Sequence, residues 1–290
     1  MSAPPVGIVI VNWNLVDDTL ACLESVFQLD YPAFQVVVVD NGSTDGSAAR
    51  IGAAYPQAAQ IVNGENRGFA AGANQGLDWA LARGCAYALV LNNDTTVAPD
   101  LLARLVAAGE SDPQIGILSP RILYFDEPDR TWHLAARWHR WLPMPVHVWQ
   151  ADTELVEADF VSGCAMMLRR SLLEAVGGFD AGYFMYGEDI DLCARAKQAG
   201  YRIVAVPGAR MWHKVSVSAA KASTEMRYWR TRNQIRVYRR YLGGWRGRLL
   251  PGYVLLKMLV DVGRDLAWGQ AELVGPLLRG VRDGLWGSQP

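Results

Sequence analysis

The chain has 290 residues, 51% of them apolar, and its 28 Lys and Arg nearly balance 29 Asp and Glu, for a net charge of −1. That length builds one large domain with a real core, or one domain with a smaller appendage, and near-neutrality excludes a general polyanion binder. Four scattered cysteines with no C-x-x-C pair exclude a zinc ribbon and a disulfide framework and fit a reducing cytoplasm.

The N-terminus lacks a basic leader, and the apolar run at 6–11 is too short for a signal-peptide core. That run, Val6-Gly-Ile-Val-Ile-Val11, predicts a buried parallel strand. Asn12-Trp-Asn14 ends it, and Asp17 is expected to cap a helix with Leu20, Leu23, Val26 and Phe27 on one face. A second buried strand at 35–39 runs into Asp40-Asn-Gly-Ser-Thr-Asp-Gly46 and a helix to about residue 54. A weaker strand at 60–62 precedes Asn66-Arg-Gly-Phe-Ala-Ala-Gly-Ala-Asn74, which opens a helix ending at Gly84. A fourth strand at 87–91 ends in Asn92-Asn-Asp-Thr95, Pro99 suits the first position of the next helix, and residues 115–118 close this half. Strands alternating with helices imply a parallel sheet covered on both faces. Every polar motif follows the carboxyl end of a strand, the edge where open α/β sheets bind ligands.

From 124 to 157 the period fails, and Trp132, His133, Trp138, His139, Trp141, His147 and Trp149 crowd among three prolines. Residues 160–168 read as a strand, Ser171-Leu-Leu-Glu174 as a capping box, and 202–206 as a strand ended by Pro207. Residues 216–223 form a small-residue loop. Beyond Met226 arginines interleave with Tyr228, Trp229, Tyr238, Tyr241 and Trp245. The longest apolar stretch there, 253–262, is broken by Lys257 and Asp261 and predicts no membrane span.

Five constellations carry chemistry. Asp40, at a strand end, can accept from the ring N–H of uracil or thymine, although Asp-Asn-Gly-Ser is equally good turn chemistry. The glycine-rich 66–74 segment can cradle a diphosphate on backbone N–H groups with Arg67 as cation, or form a tight packing turn; it is not G-x-G-x-x-G. Asp94, beside Asn92 and Asn93, offers hard oxygen to Mg²⁺ or Mn²⁺, or caps a helix. His213 can complete such a metal shell, or pack among tryptophans. Tyr183-Phe-Met-Tyr-Gly-Glu-Asp-Ile-Asp-Leu-Cys-Ala-Arg195 sets Glu188, Asp189 and Asp191 at a loop-to-helix junction. A carboxylate there can be both rigid and exposed, as a general base must be. Acids also suit a helix N-terminus, and Asp191 with Arg195 makes an ordinary i,i+4 pair.

In order, Val9-Ile-Val-Asn-Trp-Asn14, Val38-Val-Asp-Asn-Gly-Ser-Thr-Asp-Gly46, Asn66 to Gly76, Leu89-Val-Leu-Asn-Asn-Asp-Thr95, Val176-Gly-Gly-Phe-Asp180, Phe184-Met-Tyr-Gly-Glu-Asp-Ile-Asp-Leu-Cys193 and Arg232-Asn233 resemble the family 2 glycosyltransferases. The nearest branch is the bacterial rhamnosyltransferase type that builds cell-surface polysaccharides, and the resemblance spans about 6–241. It implies an α/β GT-A fold: a mostly parallel central sheet with helices on both faces, over residues 1–225. A basic, aromatic-rich helical C-terminal extension would follow at 226–290. By the same resemblance Asn12 and Asp40 contact the nucleobase, and Arg67 and Asn74 lie near the diphosphate. Asp94 holds Mg²⁺ or Mn²⁺, with Asn92 at the first position of a D-x-D-type motif and Asn93 beside it. Asp189 is the general base with Glu188 and Asp191 supporting, and His213 joins the metal or the leaving diphosphate.

One base and one leaving-group electrophile suffice for inverting displacement. The implied donor is a dTDP- or UDP-sugar, with dTDP-rhamnose first and galactofuranose, glucose or N-acetylglucosamine donors as alternatives. The acceptor is a saccharide or a lipid-linked one. The tryptophans of 132–149 stack on acceptor sugar or cover the sheet. The basic, aromatic extension suits anionic headgroups on the cytoplasmic membrane face, or else a helix pair or dimer contact. A nucleic-acid partner is disfavoured by the near-neutral charge. The loop at 216–223 is expected to order over bound donor. A sugar-nucleotide pyrophosphorylase would need a glycine-rich triphosphate loop where Asn12-Trp-Asn14 stands. A catalytically inactive scaffold is disfavoured by Asp94, Asp189 and His213.

Overall fold

The computed structural model describes residues 3–215 and 224–287, so the 216–223 loop lies outside the described residues. Strand β1 (Val6–Asn12) is buried throughout and pairs in parallel with β2 (Phe34–Asp40) on one side and β4 (Tyr87–Asn92) on the other. Strand β3 (Ala59–Val62) extends this half beyond β2. The period of two divides each strand between two cores. Ile8, Ile10, Val36 and Val38 meet helices α1 (Val16–Val26), α2 (Ser47–Ala54) and α4 (Leu101–Glu110). Val9, Val11, Val37 and Val39 meet α3 (Phe69–Ala82), in one core with α5 (Arg170–Val176) and α6 (Glu188–Gln198). Helix α3 lies so close to β1 that a Cβ at Gly76 would overlap Val9 Cγ1.

Beyond β4 the sheet continues through β11 (Ala165–Arg169), antiparallel to both β4 and β6 (Ile115–Tyr124), and then β12 (Arg202–His213), parallel to β6. Strand β5 (Thr95–Val97) pairs with the end of β12, β7 (Thr131–His133) with β6, and β10 (Val156–Glu157) with β12. Strands β8 (Ala135–Trp138) and β9 (Pro145–Val148) form a separate hairpin where no period was readable. Among the described residues three further helices follow: α7 (Thr224–Tyr241), α8 (Gly244–Ala267) and α9 (Val274–Trp286). Helix α9 packs on α7 through Gly280 and Gly284, where a Cβ would come within 2.8 Å of Thr231 and Ile235.

Several local expectations are corrected. Asp17 is not the cap of α1, because Asn14 and Leu15 turn the chain through left-handed conformations and the helix starts at Val16. Asp17 instead pairs with Arg50 at 2.7 Å. Pro99 precedes α4 rather than entering it, and its carbonyl accepts from Asp30 N–H at 2.8 Å. The capping box does not form, since α5 already begins at Arg170 and Glu174 lies 3.5 Å from the Arg170 guanidinium. Strand β12 does not stop at Pro207. A bulge between Val206 and Arg210 absorbs the proline, which lacks a ladder donor, and carries the strand on to His213.

Candidate active site

Parallel register brings the ends of three strands level. Asn12 lies opposite Asp40, and Val11 opposite Asn92. The buried Asn12 amide donates to Asp40 Oδ2 at 2.7 Å and to Ser43 Oγ at 3.0 Å. Asp40 Oδ1 accepts from Ser43 N–H at 2.9 Å, so the carboxylate is fixed with lone pairs left over. Asn12 Oδ1 accepts from Thr19 Oγ1 at 2.6 Å and Asn93 Nδ2 at 3.2 Å. Asn93 therefore belongs to the floor of the site, donating also to Thr19 Oγ1 at 2.9 Å. Asn41 ties this floor to the glycine-rich segment: it donates to Asn66 Oδ1 and Gly68 C=O, and accepts from Arg67 N–H at 3.2 Å. The Arg67 side chain is exposed at the rim.

Asp94 follows β4 and faces His213 at the end of β12, since β5 pairs with β12 and sets Thr95 opposite His213. Asp94 Oδ1 and His213 Nε2 stand 3.2 Å apart, both residues buried, and Lys214 N–H donates to Asp94 C=O at 2.9 Å. Trp132 packs edge-on to the His213 ring at 4.9 Å. Burial disfavours charge on His213, yet Cys164 and the Asp94 carboxylate raise its pKa to about 10. Burial also raises the Cys164 thiol, so at neutral pH the carboxylate is the partner that matters. Asn92 joins this corner through its backbone, donating to Cys164 C=O at 3.0 Å and accepting from Thr95 Oγ1 at 2.7 Å. Among the described residues no group of three or more His, Cys, Asp or Glu is placed to hold a metal. Asp94 and His213 supply a buried carboxylate and, once a cation displaces the Nε2 proton, an imidazole nitrogen. That set fits a hard cation completed by phosphate oxygens.

The third element opens α6. Asp189 Oδ2 accepts from Gly163 N–H at 3.0 Å, one residue before Cys164, and Asp189 keeps part of its surface exposed. A side chain at Gly163 would press on Asp189, with its Cβ 3.3 Å from the aspartate Cβ. Burial raises the Asp189 pKa against the pull of that N–H. Glu188 is buried, and its Oε2 has no hydrogen-bond partner among the described residues. Burial, and then the charge of Asp189, push Glu188 up to about 8, so Glu188 is the protonated member of the pair at neutral pH.

The loop entering α6 is strained. Met185 N–H donates to Tyr183 C=O at 2.7 Å across Phe184, whose φ of 63° and ψ of −60° make a γ-turn of the rare positive-φ hand. Tyr186 at φ 66° and Gly187 at φ 91° follow. Helix α7 holds this shape. The buried Asn233 amide donates to Tyr183 C=O and Met185 C=O, each at 2.7 Å. Arg232 donates to Gly182 C=O at 2.9 Å, and Trp229 stacks on Phe184 at 5.0 Å. Phe184 in turn covers Gly68, where a Cβ would meet its ring at 2.6 Å.

Two expected site residues have structural partners. Asn74 is tied to Phe179 at both ends of its amide: Nδ2 donates to its C=O and Oδ1 accepts from its N–H, each at 2.8 Å, which leaves one N–H and one lone pair. Asp191 is buried and binds Arg195 at 2.7 Å, Arg240 at 3.1 Å and Tyr241 OH at 2.6 Å, an anchor between α6 and α7. The tryptophans divide as well: Trp132 borders His213, Trp138 packs on Phe160 and Tyr238, and Trp141 and Trp149 are exposed. Gly163, Asn41 and Thr19 were not singled out from sequence, and Asn233 was seen only as part of a matching motif.

The family model for glycosyl transferase family 2 matches residues 7–177, and that described as the N-terminal domain of galactosyltransferase matches residues 150–217. The chain is 29% identical over 246 residues to N-acetylglucosaminyl-diphospho-decaprenol L-rhamnosyltransferase of Mycobacterium tuberculosis, covering 74% of this chain and 78% of that protein. It is 49% identical over 55 residues to rhamnosyltransferase WbbL of Escherichia coli, 19% and 21% of the two chains. Among solved structures, mannosyltransferase PcManGT from Pyrobaculum calidifontis, in complex with GDP-Man and Mn²⁺, superposes with a TM-score of 0.61 at 18% identity, over 99% of this chain and 88% of that one. GalNAc-T7 with UDP, GalNAc and Mn²⁺ gives 0.58 at 19% identity, over 73% and 43%. At those identities the likeness is one of fold.

Proposed function

The chain belongs to glycosyl transferase family 2 and has a GT-A fold, and from that premise we propose that it transfers rhamnose from dTDP-rhamnose to a lipid-linked saccharide, with inversion and a divalent cation. One observation carries the reading. The Gly163–Cys164 turn holds Asp189 on one side and abuts His213, with Asp94, on the other. A base and a cation-binding pair therefore share one short turn. The rhamnosyl donor and the lipid-linked acceptor are favoured by the mycobacterial relative, whose name contains both. The cation is favoured by the Asp94–His213 pair and by the Mn²⁺ in both structural neighbours.

Asp40 accepts from the nucleobase N–H, held by Asn12 and Ser43. Arg67 reaches the diphosphate from the rim. Mg²⁺ or Mn²⁺ held by Asp94 and His213 would neutralise charge on the leaving nucleoside diphosphate. Asp189 takes the proton of the acceptor hydroxyl as its oxygen attacks the anomeric carbon and the sugar–phosphate bond breaks. Glu188, kept protonated, leaves Asp189 as the charged member of the pair, and burial makes Asp189 a stronger base. No second carboxylate is needed as nucleophile.

The test is a donor panel with Mn²⁺ or Mg²⁺ and a polyprenyl-diphosphate N-acetylglucosamine acceptor, scored for released nucleoside diphosphate. Turnover of dTDP-rhamnose, a product of inverted anomeric configuration by NMR, and a loss of about 10²–10⁴-fold in Asp189→Asn are expected. Calorimetry detecting no binding of any nucleoside diphosphate refutes the assignment.

A further inference from the structure

Helix α8 is packed inside out. Both of its acids, Asp261 and Asp265, face the protein and are buried. Arg227 of α7 grips Asp265 at 2.6 Å, while Lys257 and Arg264 lie 2.6 Å and 3.0 Å from Asp261. Its leucines face outward. Leu249, Leu255, Leu256, Leu259, Val260 and Leu266 are all exposed, Leu256 by 64%. At 3.6 residues per turn they fall with Gly252 and Gly263 on one stripe whose single charge is Arg248 at its head. Exposed tryptophans close both ends, Trp245 at the head and Trp268 at the foot. An ordinary surface helix turns its leucines to the core and its aspartates to water. The reversal here makes sense where water is not what the outer face meets.

We infer that the outer face of α8 lies in the interface of an anionic bilayer leaflet, parallel to its plane. Charge chooses this occupant. With Asp261 and Asp265 turned inward, the charges that reach the outer face are basic: Arg248 is exposed at the head of the stripe, and Lys257 and Arg264, paired to Asp261, line one edge, with Arg264 5.9 Å over the Trp268 ring. Such a rim complements anionic headgroups, and tryptophans favour that depth. A second copy of the chain, paired about a two-fold axis, would bring one basic rim against another. Among the described residues no helix is long and apolar enough to cross a membrane, which suits a helix about 36 Å long that lies on one. The inference deepens the proposed function, since a lipid-linked acceptor is presented at such a surface.

The test needs no sugar donor, so its failure is separate from failure of the transferase reading. Full-length protein is sedimented with vesicles of phosphatidylcholine, alone or with 30 mol% phosphatidylglycerol, across a salt series, and its mass is read by analytical ultracentrifugation. Expected are a monomer, binding to the anionic vesicles that weakens with salt, and a loss of about tenfold or more in Leu256→Glu/Leu259→Glu. Because both substituted residues are exposed, the variant should keep the parent's thermal midpoint; Arg248→Glu gives a second, milder probe. No vesicle binding, equal binding by the variant, equal binding to neutral vesicles, or a dimer dissolved by the same substitutions would each overturn the inference.

Discussion

Asn233→Ala probes how the loop entering α6 is held. The native amide donates to two backbone carbonyls, Tyr183 and Met185, at 2.7 Å each, from a fully buried position. Alanine leaves the Met185 carbonyl unsatisfied, at about 1–3 kcal/mol, while the Tyr183 carbonyl keeps the Met185 N–H. The loop it holds contains the Phe184 γ-turn and Tyr186 at φ 66°, strained at about 1–3 kcal/mol apiece. The loss therefore matches the strain, and the loop should relax rather than persist. At roughly 2–4 °C per kcal/mol, even the lower bound of about 1 kcal/mol lowers Tm by about 2–4 °C. Asp189 lies three residues beyond Tyr186, so its displacement by about an ångström should lower kcat by about 10²-fold. Donor affinity should fall less than kcat, because Asp40 and Asp94 sit at the ends of β2 and β4 rather than in this loop, which reaches the donor side where Phe184 covers Gly68. Thermal unfolding, initial rates of nucleoside diphosphate release and donor calorimetry read the three quantities. A variant within about 1 °C and twofold of the parent would refute the clamp.

Asp94→Asn should cut metal-stimulated turnover by about 10²-fold or more and weaken nucleoside diphosphate binding in Mn²⁺ but not in chelator; an unchanged metal response by calorimetry would remove Asp94 from that role. Glu188→Gln should alter the pH dependence of stability. The folded chain holds the Glu188 proton more tightly than the unfolded chain, with a pKa near 8 against an ordinary 4.5, so that stability is full below about 4.5 and is lost as pH rises through 8. The glutamine variant should therefore gain on the parent between pH 5 and pH 8 in urea midpoints, and parallel profiles would contradict the burial argument. Gly76→Ala should destabilise by about 1–3 kcal/mol, because its Cβ overlaps Val9 Cγ1, and Val9→Ala in the same chain should restore part of the loss.

What the sequence disclosed follows from the range of the interactions. Strands β1, β2 and β4 were legible because each is buried on both faces and so written as an unbroken apolar run. Asp40 and Asp94 were legible as candidates because each follows such a run at the carboxyl end of its strand. The β8–β9 hairpin was not, since strands of four residues packed partly by tryptophan and histidine show no alternation. The bond of Asn74 to Phe179 was hidden because the two lie 105 residues apart. The duty of Asn233 was hidden by a gap of about 50 residues to the carbonyls it binds. Helix α8 shows a different limit: a helical period reveals that an apolar stripe exists, but whether it faces in or out depends on which face finds partners, and here Arg227 of α7 claims the acids.

The first turn of α6 brings these ranges together. Three acids within four residues would repel one another if all stayed charged and exposed, and each has been given a different environment. Glu188 is buried without a partner and so carries a proton at neutral pH. Asp191 is buried among Arg195, Arg240 and Tyr241, which fix the helix to α7. Asp189 alone keeps exposed surface, held from behind by one N–H from Gly163. The resemblance already singled out Asp189 among the three. Its physical distinction from its neighbours rests on the fold: Glu188 is buried without a partner, and Asp191 is held by partners about 50 residues away.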